Sequence, residues 1–87
     1  MTIAQTRAKT LDGLERGHRA RIVAVHWDRL APEDGMRLRA LGLDVGGRVA
    51  IAHRGVFGGS DPIAVMIGRM TVAVRRSHAQ AMEIEPA

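Results

Sequence analysis

The sequence predicts a mainly β fold: a small barrel of about five strands, with one short helix between the first two and short helical turns elsewhere. Three observations carry this. The stretch Ile63 to Ile67 alternates, with Ile63, Val65 and Ile67 on one face and Ala64 and Met66 on the other. Runs rich in β-branched residues, such as Ile22, Val23 and Val25, recur at short intervals between turn signals. A single segment, Pro32 to Leu41, carries a helical pattern with both ends marked.

Taken in order, Met1 to Lys9 is polar and uncapped and reads as a loose tail, so the domain is expected over residues 10–87. Thr10 is placed to cap a single turn that buries Leu11 and Leu14 and ends at Gly17. Ala20 to Trp27 reads as the first strand. Pro32 suits a first helical turn, and Glu33 and Asp34 lie near its positive end. Leu38 and Leu41 share one helix face while Arg37 and Arg39 point elsewhere. Gly42 follows the last periodic residue, where a left-handed cap is cheapest without a side chain. Leu43 can then fold back onto the helix, and Gly46-Gly47 turns the chain into a second strand, Arg48 to Arg54. The loop from Gly55 to Pro62 is a hairpin connection. Pro62 to Gly68 and Met70 to Arg75 form a hairpin about Gly68-Arg69. One helical turn, Arg76 to Ala81, and a last short strand, Met82 to Glu85, complete the chain.

Composition narrows the function. The 87 residues suffice for one small core, and a hydrophobic fraction of 46% is that of a globular chain. No apolar run approaches bilayer length and no secretory h-region is present, so a cytoplasmic location is expected. Zero cysteines exclude disulfides, thiolate metal sites and cysteine nucleophiles together. The net charge of +4 rests almost wholly on arginine scattered along the chain, the pattern of a solvated surface rather than of a nucleic-acid-binding tail.

The ordered blocks Arg37-Leu38, Leu41-Gly42-Leu43, Gly46, then Gly59 and Pro62, then Arg75, resemble the FeoA family, ferrous iron transport protein A. The resemblance runs from about Leu11 to Glu85. Val45 stands where the family usually has proline, and Val56 departs in the same way in a loop that is longer than usual. The resemblance implies an SH3-like barrel and an accessory role in ferrous iron transport. The partner it implies is the membrane ferrous iron permease FeoB or its cytoplasmic GTPase portion. A similar barrel forms the C-terminal domain of metal-dependent repressors, which keeps a metal-responsive regulatory module as an alternative. No helix-turn-helix pattern precedes it, so a complete repressor is not expected.

The chemical inventory points away from catalysis. Ser60 lies in a glycine loop and Ser77 directly precedes His78, which suits a cap and a surface histidine better than a nucleophile and its base. The nine acids fall mostly in turns, caps and chain ends, and the glycine loop lacks the lysine and hydroxyl of a P-loop. None of His18, His26, His53 and His78 is paired at the i, i+4 spacing of a helical metal site. His26 and His53 end successive strands and are the pair to examine, but no metal ligand and no cofactor is assigned. One Trp and one Phe cannot build a stacking platform, so nucleic acid is the weaker alternative. A protein-binding module fits best. Trp27 and Phe57, with Met36, Val56 and Met70, lie at loops or element ends, and Trp27 and Phe57 are the expected contact residues. Arg54 and Arg75 are expected to steer encounter. Exposed edge strands leave a homo-oligomer open.

Overall fold

A computed structural model of the chain describes residues 9–52 and 61–87. Among these residues six strands form one antiparallel sheet: β1 (Lys9–Thr10), β2 (Arg19–Val25), β3 (Arg48–Ile51), β4 (Ile63–Ile67), β5 (Met70–Val74) and β6 (Met82–Pro86). Their spatial order is β1-β6-β2-β3-β4-β5, open between β5 and β1 among the described residues. The mainly β prediction holds, with one strand more than the five expected.

The pleat explains the strands. Along β2, Ala20 and Ile22 are buried while Arg19 and Arg21 are exposed. A register shift between Ile22 and Ala24 against β6 then bulges the strand and turns its end. In β4, Ile63 and Val65 are buried and Ile67 half-buried, as the alternation predicts. Ala64 on the opposite face is buried as well, while Met66 is exposed. The fully buried large side chains are Leu11, Ile22, Leu38, Leu43, Val65, Val74 and Met82, so the core draws on the sheet, the helix and the first turn.

The helix, α1 (Pro32–Ala40), has Pro at its first turn with Glu33 and Asp34, and Arg37 and Arg39 in its last. Both charge groups complement the helix dipole. Its end is a Schellman motif: Leu43 N–H donates to Leu38 C=O at 2.9 Å, and Gly42 N–H donates to Arg39 C=O at 2.9 Å. Gly42 sits at φ +99°, and Leu38 and Leu43 meet in the core. The next loop is stitched to β2, with Gly46 N–H donating to Ile22 C=O at 2.8 Å and Ile22 N–H to Gly47 C=O at 2.9 Å.

Several boundaries move. The expected strand to Trp27 stops at Val25, and Trp27–Arg29 forms a 3-10 turn. Sequence period alone does not show this, because Trp27 is drawn under α1. The turn after Thr10 is a 3-10 helix, Leu11–Gly13, and Leu14 is half-buried rather than buried. The Thr10 hydroxyl donates to the Asp12 carboxylate instead of accepting from the backbone. Lys9, expected in the tail, pairs with Ile84 in β1. The second helix, α2 (Arg76–Ala79), is shorter than expected, and β6 is one residue longer. The expected tail at residues 1–8, the end of the second strand at His53 and Arg54, and Phe57 and Gly59 in the glycine loop lie outside the described residues.

Candidate partner-binding surface

Trp27 starts the 3-10 turn between β2 and α1 and is half-buried against the core. Its ring lies against Gly35, where a Cβ would stand 3.4 Å from Trp27 Cε3. The Arg39 guanidinium stacks over the ring, 4.3 Å from its centroid, and Arg39 Nε lies 3.9 Å from Asp44 Oδ2. This is a cation–π contact. The first turn of α1 thus lies in contact with the indole at Gly35, and Arg39 stacks on the ring. Arg75, exposed, precedes α2, and its carbonyl accepts from His78 and Ala79 N–H. Of the four expected contact residues, Trp27 and Arg75 are thus placed, while Arg54 and Phe57 lie outside the described residues.

The surface also carries exposed apolar side chains. Met36 is 72% exposed and Val45 61%, with Met66 and Met70 also open. Met36 lies on the side of α1 away from Leu38. Met66 stands on the outer face of β4, beside Ala50 of β3 and Thr71 of β5. The same outer face is basic toward β2, where Arg19 pairs with Ala50 and Arg21 with Arg48. Arg21 is offset on its other side by Glu85, whose Oε2 accepts at 2.9 Å. With Glu85 on β6 beside the arginines of β2 and β3, both signs are present, which makes a mixed surface rather than a phosphate track.

Each of the three histidines among the described residues meets one acid. His26 Nε2 lies 2.6 Å from Glu83 Oε2, a hydrogen bond in which the carboxylate accepts. His78 Nε2 lies 3.6 Å from Asp34 Oδ2, linking α2 to α1, and His18 Nε2 lies 3.8 Å from Glu15 Oε1. Among the described residues no three His, Asp or Glu side chains converge as a metal site would require. Two further acids bond backbone amides. Asp61 Oδ1 accepts from Arg76 N–H at 3.0 Å, capping α2, and Asp44 Oδ1 accepts from Val45 N–H at 2.7 Å. The Asp61 cap escapes sequence reading, since Asp61 lies fifteen residues upstream of the amide it caps. An open cleft of about 230 Å³ lies between the Gly13–Arg19 segment and β6, smaller than usual small-molecule sites. Among the described residues no helix is long and apolar enough to cross a membrane.

A family model, the FeoA domain, matches residues 9–86. Among solved structures, FeoA of Stenotrophomonas maltophilia complexed with zinc is 31% identical with a TM-score of 0.70; the match covers 90% of this chain and 91% of that one. That relative is described as a procaryotic SH3 domain protein and a candidate ferrous iron transport activating factor, and the likeness bears out the SH3-like expectation. FeoA of Chlorobium tepidum is 28% identical, TM-score 0.72, over 88% of this chain and 69% of that one. Iron(II) transport protein A of Clostridium thermocellum is 27% identical, TM-score 0.73, over 90% of this chain but only 45% of its own. None of the curated proteins matches the sequence.

Proposed function

Because this chain belongs to the FeoA family, which is associated with ferrous iron transport, we propose that it is a cytoplasmic, non-catalytic accessory of ferrous iron uptake. It acts by docking on a FeoB-type membrane permease or on that permease's GTPase portion. The observation that carries the reading is the family match over residues 9–86, nearly the whole chain. The activating role suggested for the S. maltophilia relative supports it. So do the exposed Met36, Val45, Met66 and Met70, apolar side chains that are open to a partner.

Trp27 and Phe57 supply contact energy in this reading, and Arg54 and Arg75 steer the encounter. Trp27 is half-buried and flanked by Arg39, which suits an aromatic that is held in place before binding and completed by a partner. The test is ferrous iron uptake in cells lacking the chain, complemented with wild type, Trp27→Ala or Phe57→Ala, each first shown to be folded by thermal melt. Reduced uptake by the folded variants supports docking. Unchanged uptake in both variants and in the deletion strain refutes the transport reading and turns the search to nucleic acid, the alternative partner.

A further inference from the structure

The geometry points to β5 as a docking edge for an extended segment of another protein that carries an acidic residue at each end of a short β-branched stretch. The inference is independent of the transport reading, because it concerns the chemistry of a partner strand and not the identity of the partner.

β5 is an edge of the sheet: it pairs with β4 on one side and with no other strand among the described residues. Which of its backbone groups face outward follows from the ladder. Ala52 N–H donates to Ala64 C=O at 2.9 Å, so the backbone groups of Ala64 point toward β3. Antiparallel strands alternate these directions, so those of Val65 point toward β5 and bond Val72, its register partner. The neighbours of Val72 therefore turn the other way. The N–H and C=O of Thr71 and Ala73 face the open edge, and neither residue has a hydrogen-bond partner outside the ladder among the described residues.

Two devices that normally blunt such an edge, proline and charge, are missing from β5 itself. Met70–Val74 contains no Pro and no charge, and Val72 and Val74 are β-branched. Charge sits only at the ends, with Arg69 just before the strand and Arg75 just after it. Both are exposed, and neither forms an ion pair among the described residues. This arrangement chooses the occupant. A second copy paired antiparallel over the full strand would set Arg69 opposite Arg75 at both ends, two repulsive cross-strand pairs. A segment with Asp or Glu at its ends reverses both signs, and the chain's net charge of +4 draws such a segment in. Strand addition of this kind takes affinity from the backbone and specificity from the flanking side chains.

The test is an amide-resolved NMR titration of the whole chain with the blocked heptapeptide Glu-Thr-Val-Thr-Val-Thr-Glu and its counterpart ending in Lys. The glutamate peptide should shift the Thr71 and Ala73 amides and slow their hydrogen exchange. The lysine peptide should bind about tenfold more weakly, since two attractive end pairs become repulsive. The double variant Arg69→Glu, Arg75→Glu should reverse that preference. Ala73→Pro removes an outward N–H without breaking the β4 ladder and should abolish binding while leaving the rest of the spectrum intact. Three results would overturn the inference. They are equal response to both peptides, the absence of β5 shifts at millimolar peptide, and concentration-dependent protection of β5 without peptide, which would assign the edge to self-association.

Discussion

Replacing Gly47 by Ala should be among the most damaging single-methyl changes in this chain. A Cβ at Gly47 would stand 2.6 Å from Gly42 O and 3.0 Å from Asp44 O, both backbone atoms that no rotamer change can move aside. Ordinary contact begins at 3.4 Å, so the shortfalls are 0.8 and 0.4 Å. Relief requires residues 42–44 to withdraw from Gly47. Those residues are held by the Leu43 to Leu38 bond, by Asp44 N–H donating to Gly42 C=O at 3.0 Å, and by Gly47 N–H donating to Asp44 C=O at 2.9 Å. Losing one or two of these bonds costs about 1 kcal/mol each, and the residual overlap about 1–3 kcal/mol, for a total of about 2–5 kcal/mol. A domain of this size has only about 4–13 kcal/mol of stability, so the loss is a large share. At about 4–8 °C per kcal/mol, the melting temperature should fall by about 8–40 °C. Trp27, the single tryptophan, reports the transition by fluorescence, with circular dichroism as the second probe. Gly13→Ala is the control, because its Cβ would meet nothing within 4 Å and should cost less than about 0.5 kcal/mol. A Gly47→Ala protein that melts within about 3 °C of the control would show that the loop has room and that the crowding argument fails.

Gly35→Ala should stabilise by about 0.5–1 kcal/mol, since it improves helix propensity and its Cβ meets Trp27 at an ordinary 3.4 Å. Gly42→Ala should destabilise by about 1–2 kcal/mol, because the residue sits at φ +99° and its Cβ would press Ile67 Cγ2 at 3.3 Å. Urea melts of the two variants should move in opposite directions, and shifts of the same sign would misplace the helix end. Asp61→Ala removes the side chain that accepts from Arg76 N–H and should cost about 0.5–2 kcal/mol, with faster hydrogen exchange confined to α2. Leu38→Ala empties a fully buried position facing Leu43 and should cost about 2–5 kcal/mol by denaturant titration.

The features legible in the sequence are those that a few neighbouring residues determine. The helix end is the clearest: the order Leu38, Leu41, Gly42, Leu43 encodes a cap, and the Schellman bonds fall on those residues. The β4–β5 hairpin is equally local, because alternation and the Gly68-Arg69 turn fix its register. What escaped depends on residues far apart. β1 is two residues long, too short to show a period, and exists because Lys9 and Thr10 meet β6. The bulge after Ile22 carries no glycine to announce it. The position of Trp27 depends on α1 folding over it, and the cap of α2 comes from Asp61, before β4. The candidate surface was legible as composition, in apolar residues at element ends. The neighbours of Met66 were not, because Ala50 and Thr71 come beside it only through strand register.

Since β1 lies beside β6, Lys9 opposite Ile84 and Thr10 opposite Glu83, the backbone enters and leaves the sheet at one corner. Ala87 N–H donates to Arg19 C=O at 3.2 Å, holding the exit there as well. The fold therefore works as a module with both leads on one side. A linker of a few residues would close the leads into a circle or graft the unit between two segments of a larger protein, and the opposite edge at β5 would remain clear.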